Sequence, residues 1–180
     1  MTRFVGIGGS LRSSSYSMMA LQLVAQRMNI LGAEVQILDL RKMTLPFCDG
    51  GKEYGDYPDV AVLRTTVQAA EGLILATPEY HGSVSGVLKN ALDLMGFEEL
   101  GGKVAGCISV LGGQSNSNAL NELRLIMRWV HAWVIPEQIA IGQAWQAFDA
   151  KGNLVDEKLA QRLDEFANSL VENTRRLTRA

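Results

Sequence analysis

The sequence predicts a three-layer α/β fold: a five-stranded parallel sheet in the order 2-1-3-4-5, with helices on both faces. Three observations predict it. Short apolar runs alternate five times with stretches of helical periodicity, and parallel strands need such crossovers. Most of the apolar runs are continuous, as in strands covered on both faces. The 180 residues carry 47% hydrophobic and 20% charged side chains without repeat, linker or low-complexity tract. That predicts one domain over residues 1–180 with room for a full core.

The elements follow in order. RFVGIGG (3–9) is a short apolar run closed by glycines, a buried first strand. From Ser17 to Leu31, the residues Leu21, Val24, Met28 and Leu31 recur at helical spacing, and Gly32 ends the helix. AEVQILDL (33–40) alternates and is the second strand. Residues 41–58 contain Pro46, Gly50, Gly51, Gly55 and Pro58 and read as a long loop. Pro58 opens a helix that runs to about Ala70. LILAT (73–77) is the third strand, stopped by Pro78. Ser83 is positioned to cap the next helix, whose apolar face is Val84, Val87, Leu88, Ala91, Leu92 and Met95. KVAGCISVL (103–111) is the fourth strand, and a helix follows from about Ala119 to His131. VIPEQIAIG (134–142) is the fifth, with Pro136 suited to a sheet edge. FDAKGN is a turn, and residues 154–177 form the last helix on Leu159, Leu163, Phe166 and Leu170.

Composition excludes several functions. Net charge is −2 with no basic stripe, which argues against nucleic acid or an anionic membrane as partner. No apolar run approaches the roughly 20 residues of a membrane span. MTRFVGIGGS has neither an h-region nor a cleavage site, and a cytoplasmic protein is expected. Cys48 and Cys107 are far apart and read as ordinary thiols, Cys107 in the core. His81 and His131 are too few for a typical zinc site, so no metal is expected.

In a sheet of this order, ligands bind at the carboxyl ends of the strands where the order reverses, between strands one and three. Three loops meet there: GGSLRSSSYS, PEYHGS and GGQSNSN. In the first, the helix N-terminus supplies amides, Ser10, Ser15 and Ser17 supply hydroxyls, and Arg12 adds a guanidinium suited to a phosphomonoester. The alternative is a βα turn whose serines only cap the helix. A dinucleotide fingerprint fails because Leu11 stands where the third glycine belongs, and no Gly-Lys-Ser/Thr completes a P-loop. In the second loop Gly82 permits tight geometry, and a flat heteroaromatic ring could lie against the peptide edge; a capped turn is the plainer reading. His81 is read as a contact residue before a catalytic one. The third loop is small and polar enough to meet a ring edge or simply to lie on the surface. Lys89 and Asp93 are spaced as a surface ion pair. Arg124 and Arg128 face either solvent, a dinucleotide phosphate or a partner. Trp129 and Trp133 are expected in the core or in a subunit contact.

GSLRSSSYS and PEYHGSVSGVLKNALD resemble the two signature stretches of the NADPH-dependent FMN reductase family, which includes quinone, chromate and azo-dye reductases. The likeness extends to FDAKGNLVDEKL near the C-terminus. The resemblance implies a flavodoxin-like fold with non-covalent FMN, its phosphate on Ser10, Arg12, Ser15 and Ser17. It implies the ring against Pro78, Glu79, Tyr80, His81, Gly82 and Ser83, with Gly112, Gly113 and Gln114 closing the pyrimidine side. Family members often carry Asn where Ser17 stands, and many carry Asn or Arg where His81 and Gly82 occur. The implied activity is ping-pong reduction of a quinone or similar small acceptor by NADPH or NADH, without a catalytic side chain, in a homodimer or homotetramer. A flavodoxin-type electron carrier is the competing function, opposed by the mild net charge and by Arg12. A phosphate-ligand binder without flavin is the third.

Overall fold

The structure, a computed structural model, describes residues 1–114 and 118–178. Among the described residues six strands are present: β1 (Arg3–Gly8), β2 (Glu34–Asp39), β3 (Gly72–Tyr80), β4 (Ser83–Val84), β5 (Val104–Val110) and β6 (Trp133–Ile141). The helices are α1 (Tyr16–Ile30), α2 (Pro58–Gln68), α3 (Gly86–Asp93), α4 (Phe97–Leu100), α5 (Asn118–Trp129), α6 (Ala144–Ala147) and α7 (Glu157–Leu177), with a 3-10 turn at Leu40–Lys42. The sheet runs β2-β1-β3-β5-β6 with every pair parallel. The two-residue β4 folds back antiparallel on β3. Without β4 the strands stand in the expected order 2-1-3-4-5.

Period-two alternation divides the core between the two faces. Phe4, Ile74, Ala76, Val104 and Ile108 pack with Leu21, Phe166 and Leu170 of α1 and α7. Val5, Ile7, Leu73, Leu75, Ala105 and Cys107 pack with Leu63, Leu88 and Leu123 of α2, α3 and α5. Cys107 is fully buried, and burial pushes its thiol up to about 12, so it stays protonated and inert. β6 is an edge strand, as Pro136 requires, and the β5–β6 register shifts opposite that proline.

Four details depart from expectation. β3 does not stop at Thr77 but runs through Pro78 to Tyr80. Its pairing with β1 ends at Ala76 while that with β5 continues to Pro78, so one strand edge is free to lack an N–H. Ser83 belongs to β4, and the cap of α3 is Ser85, whose Oγ accepts from the Leu88 N–H. Trp129 and Trp133, expected in the core or in a subunit contact, lie outside the core at 71% and 62% exposure, which removes the first of those alternatives. Finally, Arg124 is held within the fold, donating to Gln138 Oε1 at 2.7 Å and to the Pro136 carbonyl at 2.8 Å. Lys89 and Asp93 form the expected exposed pair at 2.7 Å.

Candidate functional site

The carboxyl ends of β1, β3, β5 and β6 open onto one cleft of about 330 Å³, the size of a small-molecule site. Ser10, Arg12, Ser14, Ser15, Tyr16 and Ser17 line one end, and Pro78, Glu79 and Tyr80 another. Val110, Leu111 and Gly112, with Ala144 and Trp145, complete it.

The first end is built by the turn from β1 into α1. Gly9 donates to the Ala76 carbonyl at 2.7 Å, and a Cβ on it would lie 2.7 Å from Ser85 Oγ and 2.8 Å from Leu88 Cβ. Only glycine lets the loop pass so close to α3. Ser15 caps α1 by accepting from Met18 N–H at 3.1 Å, and its Oγ lies 3.0 Å from Ser17 Oγ. Ser10 Oγ accepts from Arg12 N–H at 3.3 Å, which leaves its own proton to donate. Ser10, Ser15 and Ser17 are each at most 5% exposed, yet all face the cleft. The first amides of α1 lack intrahelical acceptors, as at any helix start. Among the described residues no carboxylate pairs with Arg12, which is exposed. The result is a concave set of hydroxyls and amides beside a free cation.

The second end is the β3–β4 hairpin. His81 and Gly82 both have positive φ, 53° and 76°, between the paired Tyr80 and Ser83. This is the two-residue turn whose twist matches the strands. The hairpin is fixed from both sides. Ser85 Oγ donates to the Gly9 carbonyl at 2.5 Å, and Ser85 N–H donates to Thr77 Oγ1 at 3.0 Å. On the other side Glu79, 6% exposed, accepts from the Ala119 N–H at 3.0 Å, and Ser83 Oγ bonds Glu122. Glu79 thus sends its carboxylate to the positive end of α5.

Of the thirteen expected contact residues, Ser10, Arg12, Ser15, Ser17, Pro78, Glu79, Tyr80 and Gly112 line this cleft. His81, Gly82 and Ser83 form the hairpin tip beyond it. Gly113 and Gln114 are spent on the neighbouring strand exit: Gly113 accepts from Gln143 N–H at 2.7 Å, and Gln114 backbone packs on Gly142. Ser115, Asn116 and Ser117 of the third loop lie outside the described residues. Sequence reasoning missed Ala144 and Trp145. The signal was present, because the expected strand order sets the exit of the fifth strand beside the GGQ loop. Tyr80 and Trp145, 46% and 62% exposed, stand at the mouth as aromatic walls.

Comparison with known proteins agrees with this architecture. Residues 2–146 match the family described as NADPH-dependent FMN reductase. The NADPH-dependent FMN reductase ArsH of Shigella flexneri is 33% identical over 177 residues, which is 96% of this chain and 68% of that protein. An NAD(P)H-dependent FMN reductase of Pseudomonas aeruginosa is 33% identical over 183 residues, 97% of this chain and 96% of its own. Among solved structures, FerB of Paracoccus denitrificans, a flavoenzyme NAD(P)H:acceptor oxidoreductase, superimposes with a TM-score of 0.80 at 24% identity, covering 98% of both chains.

Proposed function

The chain belongs to the NADPH-dependent FMN reductase family, and from that premise we propose that it reduces quinones or similar small planar acceptors, with FMN held along the cleft described above. The observation that carries the reading is the pairing of two unlike ends in one cleft. A hydroxyl-and-amide cradle beside the unpaired Arg12 suits a phosphate dianion. A rigid peptide edge at Pro78–Tyr80, walled by Tyr80 and Trp145, suits a flat ring.

The residues fit FMN. Ser10, Ser15, Ser17 and Arg12 would hold the phosphate, and the backbone of Pro78, Glu79 and Tyr80 with Gly112 would hold the ring. His81, Gly82 and Ser83 shape the hairpin, and Gly113 and Gln114 brace the opposite wall. Bound FMN supplies the two-electron redox chemistry between NAD(P)H and the acceptor. The chain's own part is orientation. The two hairpin ties to α5 and the Ser85 tie to the first loop fix the ring edge relative to the phosphate cradle. Exposed Tyr80 and Trp145 would flank the space in which the nicotinamide donor and then the acceptor bind. No step asks a side chain to act as nucleophile.

The acceptor class rests on the open aromatic mouth, and assembly as a homodimer or homotetramer on exposed Trp129 and Trp133. The test is a visible spectrum of the protein with added FMN, then NADPH under nitrogen, then a quinone. Flavin bands that bleach with NADPH and return with the quinone support the reading. Bands that resist NADPH would point to an electron carrier instead, and failure to bind FMN would overturn the site.

A further inference from the structure

We propose that Arg41 is a positioning residue for the phosphate cradle, clamping the backbone of the first loop from outside the cleft; this rests on the phosphate reading above. Arg41 lies in the 3-10 turn after β2, some thirty residues along the chain from the loop. Its Nε and Nη2 donate to the two carboxylate oxygens of Asp39, each at 2.7 Å. Asp39 ends β2 and pairs in register with Gly8, the last residue of β1. The fork is therefore mounted on the sheet, next to the point where the loop leaves it. The remaining nitrogen, Nη1, donates to the carbonyls of Arg12 and Ser13, at 3.3 and 3.2 Å.

The consequence follows from peptide geometry. In a trans peptide the carbonyl and the next N–H point in opposite directions. Drawing the Arg12 and Ser13 carbonyls toward Arg41 turns the N–H groups of Ser13 and Ser14 away from it. Arg12 and Ser14 line the cleft and Arg41 does not. The clamp thus removes two carbonyl oxygens from the side an anion would occupy and turns the following amides toward it. Little else holds this stretch. Leu11 to Ser14 are all exposed, and among the described residues their other hydrogen bond is from Arg12 N–H to Ser10 Oγ. Arg41 does not line the cleft and its fork is turned to Asp39 and the loop carbonyls, so it acts through the loop and not as a ligand.

The test compares FMN with riboflavin, which shares the ring and lacks the phosphate. Affinities of both for the flavin-stripped full chain are read from quenching of flavin fluorescence. Arg41→Ala is expected to lower the preference for FMN over riboflavin about tenfold, the scale on which residues supporting a binding group act, while riboflavin affinity stays as in the wild type. Arg41→Lys keeps the charge but not the fork, and is expected to behave like Arg41→Ala; Asp39→Asn should lose part of the preference. A wild-type preference in both Arg41 variants would overturn the clamp, as would an equal loss for both flavins. Should only Arg41→Lys keep the preference, the role is bulk charge and positioning is likewise overturned. A wild type that binds FMN and riboflavin equally would instead overturn the phosphate reading itself, and the clamp with it.

Discussion

Arg12 is a cation beside buried hydroxyls and a helix start, with no carboxylate among the described residues to neutralise it. A charge-assisted hydrogen bond to a phosphate in that setting contributes about 2 kcal/mol. Arg12→Ala is accordingly expected to weaken FMN roughly thirtyfold, measured by fluorescence titration, with riboflavin hardly affected. His81 presents the opposite case, a residue whose importance is backbone. Its φ of 53° lies in the left-handed region that His and Asn tolerate and β-branched residues do not. His81→Val should lower stability by about 1–2 kcal/mol in urea denaturation, and His81→Asn should not. A catalytic histidine would show the reverse pattern, with activity lost in both variants at unchanged stability.

At the scale of elements, Ser85 joins three of them. Its Oγ caps α3 and donates to the Gly9 carbonyl, and its backbone N–H donates to Thr77 Oγ1. Ser85→Ala removes the cap and leaves the Gly9 carbonyl without its donor. A loss of about 2 kcal/mol in unfolding free energy is expected, together with weaker FMN binding, because the first loop and the hairpin lose their shared anchor. The β2–3-10 junction gives a second prediction. The side-chain hydrogen bond from Arg41 holds the Asp39 carboxyl below the usual aspartate range, with Arg41 and Lys42 as the neighbouring charges. A lowered folded-state value means the unfolded chain binds the proton more readily. The contribution of Asp39 is therefore fully present above the ordinary aspartate value and is lost as pH falls through the lowered one. The stability gap between wild type and Asp39→Asn should be widest near neutral pH and close in acid, as followed by urea denaturation across pH.

The whole molecule has two cores, one on each face of a single sheet. Because both depend on the same strands, we expect one cooperative unfolding transition, consistent with one domain. Among the described residues no helix is long and apolar enough to cross a membrane. The outer surface carries an apolar strip in which Phe97, Leu125 and Trp129 stand exposed beside α4 and α5. On the subunit-contact reading of this strip, Trp129→Glu is expected to lower the sedimentation coefficient toward that of a monomer while leaving the cleft intact. An unchanged sedimentation coefficient would remove Trp129 from any subunit contact.

The sequence by itself determined the layers, the strand order and the facing loops, because these depend on periodicity and on short-range punctuation by Gly and Pro. Continuous apolar runs at 3–9 and 73–77 can only be covered on both faces, and each intervening helical stretch forces a parallel crossover. The Ser- and Arg-bearing first loop was legible for the same reason, since residues adjacent in sequence build it. Tertiary structure decided what depends on contacts between distant segments. Whether Ser83 or Ser85 caps α3 turns on a two-residue hairpin that periodicity does not reveal. Trp129 and Trp133 suit either the core or a subunit contact by composition, and only the packing removes the core from that choice. Glu79 turned toward α5, Trp145 at the cleft mouth and Arg41 beneath the first loop join segments far apart along the chain, because side chains find their partners in space after the strand order has brought those segments together.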